Sequence, residues 1–430
     1  MDPRQQHSLN FRQAARGGAC DPVPLYPAIP AEPMTRGSSR RTMALSCLAV
    51  FMTQMATTIY LPSLPAVMRE LHVSRAYAQL SVSVFVIGAA LPVMAWGSAA
   101  DRYGRRGPMM WSLVLFIASS GALALVHTPV MLLVLRAVQG VAAGGSAIIA
   151  RILVRDLWSG DELARRLSVL SIAFITALGG GQFLGGLIGR YARWETGFVV
   201  LAAVGVVATV LTATVPMQAG RRRPAGGGGL GTYWAVARRT GFLPAACAGG
   251  LGFATTVTLQ EVAPFVFEEH FGLSVATYGT VGLLIGMAYF AGAMTVNRTV
   301  AKAGMARLMQ RGTVVIASSG VAMFSLWAAG RLLDAVALAV FLTLYCATTF
   351  GQSMLFPNSM AAAVSRVSNE QGAHAVALCG FLQQSMAGLA AAAATLLRPS
   401  LAWSAAIAVL GVTAWVLARF GSRADDPTGW

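Results

Sequence analysis

The chain has 430 residues, of which 56% are hydrophobic and only 11% are charged, and its formal net charge is +16. Soluble domains carry about 25% charged residues, so this composition excludes an ordinary soluble protein. In a soluble protein the positive charge would suggest a nucleic-acid partner. Here we expect no nucleic-acid partner, because arginines collected at one membrane face explain the charge.

Apolar stretches long enough to cross a lipid bilayer recur along almost the whole chain. Stretches of about 20 apolar residues predict membrane-spanning helices, and their lack of alternation excludes barrel strands. We therefore predict an all-α integral membrane protein with twelve spans. The predicted spans cover residues 43–66, 77–98, 108–127, 130–152, 165–189, 196–217, 242–267, 275–297, 310–329, 333–356, 371–396 and 400–419.

The segments outside the spans divide the chain. Residues 1–41 are rich in proline and lack periodicity, which predicts a disordered cytoplasmic tail. Residues 218–240 are basic and contain four consecutive glycines, Gly226 to Gly229, which predicts a flexible cytoplasmic linker. This linker would separate an N-terminal six-helix bundle from a C-terminal one. The predicted domains are residues 42–217 and 241–420, followed by a cytoplasmic tail at 421–430.

The distribution of arginine predicts the orientation of the chain in the membrane. With both termini in the cytoplasm, the cytoplasmic segments carry most of the 32 Arg and Lys residues. Positive residues accumulate on the cytoplasmic side of membrane proteins, and the opposite orientation would invert this asymmetry. We therefore expect both termini to be cytoplasmic.

A short charged hairpin lies between the second and third spans and reads G-x-x-x-D-R-x-G-R-R. Gly97 would let two helices approach closely, and Asp101 can accept from helix N-termini or pair with an arginine. Gly104 permits the positive φ that a helix reversal requires. The alternative is an ordinary positive loop, but the glycine spacing favours a conformational latch. The latch residues are Gly97, Asp101, Arg102, Gly104, Arg105 and Arg106.

Five further motifs carry a family resemblance: Thr57–Pro65, Leu135–Gly140 (L-R-x-x-Q-G), Val154–Leu157 (V-R-D-L), Phe356–Asn358 at the close of span ten, and Gly380–Gln383 at the opening of span eleven. Together with the charged hairpin, they resemble the major facilitator superfamily over about residues 43–415. Within it, they resemble the Bcr/CflA branch of bicyclomycin- and chloramphenicol-type exporters. In that family the hairpin is a conformational latch and not a substrate site.

The resemblance implies two pseudo-symmetric six-helix bundles that work by alternating access. It implies a secondary active transporter in the bacterial inner membrane, exporting small amphipathic compounds by proton antiport. It also implies a monomer that uses the proton gradient and no cofactor. The alternative is a dedicated exporter of an endogenous metabolite, such as a siderophore or natural product. An integral-membrane enzyme is disfavoured because the five histidines do not cluster, and a sensor because no soluble output domain exists.

Two positions depart from the family pattern. The acid that the family carries in the first span is Thr58 here, which cannot hold a proton. In the fifth span, Gln182 replaces the usual proline within Gly181–Gly186. Both departures bear on the usual proton pathway, and the loss of the acid at Thr58 modestly favours the dedicated exporter.

Two charged residues fall inside predicted spans. Glu261 lies in the seventh span, where a carboxylate must protonate or pair, unless the span ends earlier and leaves it in interfacial water. Arg136 lies in the fourth span. It either lines the central cavity, as the resemblance implies, or binds backbone carbonyls at a helix break. Both residues have comparable depth, so a direct or water-mediated contact between them is a hypothesis.

Several uncharged residues are weaker candidates for the substrate and proton cavity. Each can hydrogen-bond a ligand or join neighbouring helices. No metal-ligand spacing occurs in the sequence. The candidate cavity residues, besides Arg136 and Glu261, are Gln54, Thr58, Tyr60, Gln139, Gln352 and Gln383.

Overall fold

The structure is a computed structural model that describes residues 36–158, 160–215, 217, 230–330, 335–367, 371–396 and 402–423. These residues are helical with short connections and include no strand. Residues 1–35 of the tail predicted at 1–41, most of the linker and the last seven residues lie outside the described ranges. Residues 36–41 and 421–423, which were predicted as parts of the two tails, are helical.

Fifteen α-helices occur within the described residues. They are α1 (Arg36–Thr58), α2 (Leu64–Glu70), α3 (Arg75–Ala90), α4 (Val93–Tyr103), α5 (Arg106–Leu123), α6 (Pro129–Leu157), α7 (Gly160–Tyr191), α8 (Thr196–Thr214), α9 (Leu230–Ala237), α10 (Phe242–Phe265), α11 (Val275–Ala303), α12 (Met305–Ala328), α13 (Ala335–Val364), α14 (Gly372–Leu396) and α15 (Ala402–Arg423). The pairs α1–α2 and α3–α4 each form one predicted span, and α9 lies in the predicted linker.

Eleven segments in the described part of the chain are long and apolar enough to cross a membrane. The remaining predicted span, residues 108–127, corresponds to α5, which has 18 residues and begins at the charged Arg106. At 1.5 Å per residue α5 is about 27 Å long, close to the thickness of the hydrocarbon core. The all-α membrane fold with twelve spans is therefore confirmed.

Prolines interrupt the first two spans. After α1 ends at Thr58, a 3₁₀ turn at Leu61–Ser63 contains Pro62 and leads into α2. The second span is divided at Pro92, which precedes α4. Proline lacks the N–H that would continue the helical ladder, so both spans bend at these positions.

Three further expectations, about the end of the tenth span, the start of the eleventh span and the linker, differ from the structure. Phe356–Asn358 does not close the tenth span, because α13 continues through Pro357 to Val364. The Asn358 side-chain amide donates to the Met354 carbonyl at 2.7 Å and so helps to bridge the interrupted turn. Gly380–Gln383 lies inside α14 and does not open it. The described end of the predicted linker is also helical, as α9.

The backbone repeats itself at an offset of 200 residues. Ser74 and Ser274 both cap a helix with φ near −67° (−68° and −66°), and each side chain accepts from the N–H three residues later. Gly104 has φ 84° and ψ 166°, and Gly304 has φ 78° and ψ 156°. The positive φ predicted for Gly104 is confirmed. The repeat supports two pseudo-symmetric halves, which we call the first six and the last six spans.

The two halves meet where α7 crosses α11 and where α3 packs against α14. At the first crossing, a Cβ on Gly186 would lie 2.6 Å from the Gly279 Cα. A Cβ on Gly282 would lie 2.6 Å from the Gln182 Cβ. These glycines let the two backbones approach far more closely than larger residues would.

We expect Gly186→Val to separate α7 from α11 and to destabilise the protein by about 1–3 kcal/mol or more, because the new side chain overlaps backbone. The melting temperature in detergent measures this effect. Gly180→Val is the matched control on the same helix, since a Cβ there meets nothing within 4 Å. Equal melting temperatures for the two variants would contradict the close crossing.

Candidate functional site

The bundle has two ends, which we name by one arginine each. The Arg69 end carries the connection from α2 to α3, and the Arg105 end carries the connection from α4 to α5. The buried charged groups lie closer to the Arg69 end. Arg136 is seven residues from the start of α6 at Pro129, and Glu261 is nine residues before His270, where the π-helical turn after α10 ends.

Arg136 is wholly buried within the first six spans. Its Nε donates to the Ser81 carbonyl at 3.3 Å, and its Nη1 donates to the Ala56 carbonyl at 3.1 Å. Nη1 also donates to the Gln139 Oε1 at 2.6 Å. Ala56 lies just before the end of α1, so the contacts of Arg136 are backbone carbonyls near a helix break. This arrangement is the second alternative from the sequence.

Aromatic rings enclose the remaining faces of the Arg136 guanidinium. Its central carbon lies 4.4 Å from the ring centroid of Phe85, 4.7 Å from that of Tyr60 and 5.8 Å from that of Phe198. Such cation–π contacts stabilise a desolvated cation. In this structure Arg136 is therefore caged inside the first half and has no exposed surface with which to line a cavity.

Gln139 and Tyr60 belong to the same hydrogen-bonded network. The Gln139 Nε2 donates to the Ser120 Oγ at 2.8 Å, which connects α6 to α5. The Tyr60 hydroxyl and the Ser81 Oγ lie 2.9 Å apart, which connects the end of the first span to α3. Both candidate residues are thus occupied by contacts within the protein.

Thr58 joins α1 to α7. Its Oγ1 donates to the Ala177 carbonyl at 2.8 Å and to the Gln54 carbonyl at 3.2 Å. A Cβ on Gly181 would overlap the Thr58 hydroxyl, so the pair of small residues permits close helix packing. The position of the family's acid therefore serves packing here. Gln54, one turn earlier, is half-buried.

Glu261 is 1% exposed, which rules out interfacial water as its environment in this structure. Its Oε1 accepts from the Ser83 Oγ at 2.6 Å, and its backbone carbonyl accepts from the Gln79 Nε2 at 3.1 Å. Its Oε2 has no hydrogen-bond partner among the described residues. Glu261 thus links α10 of the last six spans to α3 of the first six.

A direct contact between Arg136 and Glu261 is absent from this structure, because each binds a different residue of α3. Arg136 binds the Ser81 carbonyl, whereas Glu261 binds the Ser83 hydroxyl. Sequence reasoning missed Gln79 and Ser83. The signal that could have found them is their spacing of four residues, which places two polar side chains on one face of a membrane helix.

Buried polar atoms without partners concentrate in the last six spans. The Gln383 Nε2 donates to the Ser359 Oγ at 2.9 Å, but its Oε1 is unpaired within the described residues, as is the Oε1 of Gln352. Buried polar groups are normally satisfied, so unpaired ones indicate a place for water or a ligand. Other unpaired atoms in these spans belong to Thr256, Thr258, Tyr345 and Ser385, while the first six spans contain the unpaired Arg136 Nη2 and Gln182 Nε2.

The predicted latch is tied to the first six spans. The Arg105 Nε binds the Asp156 Oδ2 at 2.9 Å near the end of α6, and the Arg106 Nη2 donates to the Ala213 carbonyl at 2.8 Å on α8. The side chain of Asp101 lies outside the described side chains. The latch role stays a prediction.

One latch residue, Gly97, differs from the expectation. A Cβ on Gly97 would meet nothing within 4 Å, so the close helix approach expected there is absent from this structure. Arg102 is exposed, and its guanidinium carbon lies 5.3 Å from the ring centroid of Tyr103.

Ion pairs join the two halves at the Arg69 end. The Arg69 Nη1 contacts the Glu268 Oε1, and the Arg75 Nη1 contacts the Glu269 Oε2 at 3.3 Å. The Arg75 guanidinium carbon also lies 4.7 Å from the Phe265 ring centroid. Together with the Glu261 contacts, these interactions close the Arg69 end. Among the described residues, no three His, Cys, Asp or Glu side chains are placed to bind a metal ion.

Comparisons with known proteins give one consistent result. The family model described as Major Facilitator Superfamily matches residues 46–392. Multidrug resistance protein MdtL of Klebsiella pneumoniae is 26% identical over 66% of this chain and 72% of its own length. The bicyclomycin resistance protein homolog of Haemophilus influenzae is 28% identical over 36% of this chain and 38% of its own length. These relatives agree with the resemblance drawn from the sequence motifs.

Another relative, the uncharacterized MFS-type transporter YdgK of Bacillus subtilis, is 27% identical over 56% of this chain, and the match spans 61% of YdgK. Among solved structures, the D-xylose-proton symporter has a TM-score of 0.73 at 15% identity, covering 89% of this chain and 97% of the symporter. The nucleoside transporter NupG has a TM-score of 0.71 at 11% identity, covering 89% and 99%. These identities show the fold alone. The relatives and structural neighbours are transporters and not enzymes.

Proposed function

Because the chain belongs to the major facilitator superfamily and is a membrane transporter, we propose that it exports small amphipathic compounds in exchange for protons. The names of two relatives, a multidrug resistance protein and a bicyclomycin resistance protein homolog, support an efflux role. The structural neighbours support alternating access between two six-span halves.

The burial of the Glu261 carboxylate is the observation that supports proton coupling. Thr58 cannot ionise, and Glu261 is a fully buried carboxylate whose described partners include no cation. A carboxylate at this depth in a membrane either binds a proton or pairs with a cation. Glu261 lies on α10 and contacts α3, so any change in its charge affects the contact between the two halves.

The last six spans supply the better candidate for a substrate site. Ligand pockets are mostly apolar with a few polar groups that fix orientation. Unpaired buried atoms on Gln352 and Gln383 provide such groups. Phe253 and Phe356, with ring centroids 5.1 Å apart, provide aromatic surface on α10 and α13. An amphipathic compound fits this combination.

The proposal is tested with purified protein in proteoliposomes, using radiolabelled chloramphenicol and bicyclomycin as probes. An imposed pH gradient should drive probe uptake against its concentration, and an uncoupler should abolish that uptake. If folded protein moves neither probe, the drug-efflux function is contradicted. The dedicated metabolite exporter, which the packing role of Thr58 favours, would then replace it.

For topology we propose that the Arg105 end and both termini face the cytoplasm of a bacterial cell, with a monomer in the inner membrane. We expect an impermeant maleimide applied to intact cells to label cysteines introduced at His72 and Glu269, which are exposed at the Arg69 end. It should not label cysteines at Arg105 or Arg222. Everted vesicles provide the control, where the pattern should invert. Labelling at Arg222 in intact cells would contradict the orientation.

A further inference from the structure

Gln79 and Ser83 place two donors one helical turn apart on α3, and both reach Glu261 on α10. The Ser83 Oγ lies 2.6 Å from the Glu261 Oε1, and the Gln79 Nε2 lies 3.1 Å from the Glu261 carbonyl oxygen. Ser83 has no exposed surface and Gln79 is 5% exposed. A turn of α3 in the first half therefore holds a turn of α10 in the second half, away from water.

We infer that Gln79, Ser83 and Glu261 form an inner fastener that closes the Arg69 end and opens when Glu261 takes up a proton. The inference rests on the proposed function and assigns Gln79 and Ser83 as positioning residues. A carboxylate accepts a stronger hydrogen bond from Ser83 than a neutral acid does. Protonation therefore weakens the contact between the halves, while the Gln79 bond to a backbone carbonyl does not change.

The exposed ion pairs nearer the surface cannot replace this fastener. The side chains of Arg69 and Glu268 are 58% and 28% exposed, and those of Arg75 and Glu269 are 28% and 50% exposed. Ion pairs in such surroundings contribute little, because water and salt screen them. The buried hydrogen bond from Ser83 to the Glu261 carboxylate is therefore stronger than either exposed ion pair.

The surroundings of Glu261 contain few other groups that could titrate with it. Arg69 on α2 and Arg75 on α3 each pair with an acid of the turn after α10. Tyr345 and Cys346 are the titratable groups on α13. On the remaining described helices that pack against α10, the charged groups whose side chains are described lie toward the Arg105 end: Arg307, Arg311, His374 and Arg419.

The test measures the distance between spin labels by pulsed electron resonance. Labels at His127→Cys and Ala329→Cys, both exposed at the Arg69 end, are placed in a chain without its five native cysteines. The parent protein should show short distances at alkaline pH and a shift to longer distances at acidic pH. Glu261→Gln should lose this pH dependence.

Ser83→Ala should show the longer distances already at alkaline pH, with little further change on acidification. Ser83→Thr, which keeps the hydroxyl, should restore the parent behaviour. Gln79→Leu should lengthen the distances at both pH values but keep the pH dependence. Ser146→Ala is the matched control, because this buried hydroxyl donates only to the Ala143 carbonyl of its own helix.

An unchanged distance distribution in monodisperse Ser83→Ala protein would overturn the fastener, as would full pH dependence in Glu261→Gln. The measurement needs neither substrate nor a gradient. A pH-dependent opening that Ser83→Ala removes would therefore support the fastener even if neither drug probe is transported, and the proposed export function would fail separately.

Discussion

Glu261→Gln should abolish uptake driven by a pH gradient and leave downhill exchange of chloramphenicol between proteoliposomes and buffer intact. Glutamine keeps the size of the side chain and an oxygen that can accept from Ser83, but it cannot carry a proton. The transport cycle can then still move substrate down its gradient, but no group remains that couples the movement of protons to transport. Flux of radiolabelled probe with and without the imposed gradient measures both modes.

Glu268→Gln is the matched control for this experiment. Glu268 belongs to the same end of the second half, but it is partly exposed and paired with Arg69. An exposed pair of this kind contributes about 0–1 kcal/mol, so transport should change little. Full uphill transport by Glu261→Gln would remove Glu261 as the proton carrier. Coupling would then have to use Asp101, another ion or no ion.

Arg136→Ala should impair both uphill transport and downhill exchange, because it removes the guanidinium whose hydrogen bonds and ring contacts hold the helices of the first half together. The substitution leaves the rings of Tyr60, Phe85 and Phe198 facing a void and removes a donor from the Ala56 carbonyl. Truncation of a buried side chain of this size costs about 3–5 kcal/mol. Melting temperature and membrane abundance measure the loss, alongside transport.

Arg136→Lys separates charge from shape in this cage. Lysine keeps the positive charge but cannot reproduce the planar set of donors that reaches Ser81, Ala56 and Gln139. We expect the melting temperature of Arg136→Lys to lie between that of the parent protein and that of Arg136→Ala. Arg190→Ala, at an exposed position near the end of α7, is the control and should melt like the parent protein. A normal melting temperature for Arg136→Ala would contradict the structural role of the cage.

Apolar stretches and turn residues were enough to predict most of the fold. The spans and the reversal at Gly104 follow from local sequence, because bilayer thickness and backbone sterics act locally. Proline misled the prediction at α13, where the helix continues through Pro357. Neighbouring helices in a membrane protein can compensate for the missing N–H.

The candidate site could be predicted only in part. Glu261 and Arg136 stand out because charged residues are rare inside spans. Their partners do not stand out, since Ser83 and Glu261 are 178 positions apart and meet only after the halves assemble. The pairing of Gln139 with Arg136 is different, because residues three apart on one helix are neighbours, whereas the contact of Gln139 with Ser120 forms only when α6 packs against α5.

The most direct test of proton exchange through Glu261 follows protons and probe in the same vesicles. A pH-sensitive dye is trapped inside proteoliposomes, and a downhill gradient of radiolabelled chloramphenicol is imposed. In the parent protein, chloramphenicol leaving the vesicles should acidify the interior. Glu261→Gln should release chloramphenicol at a comparable rate without changing the internal pH. Equal acidification by the two proteins would contradict the role of Glu261.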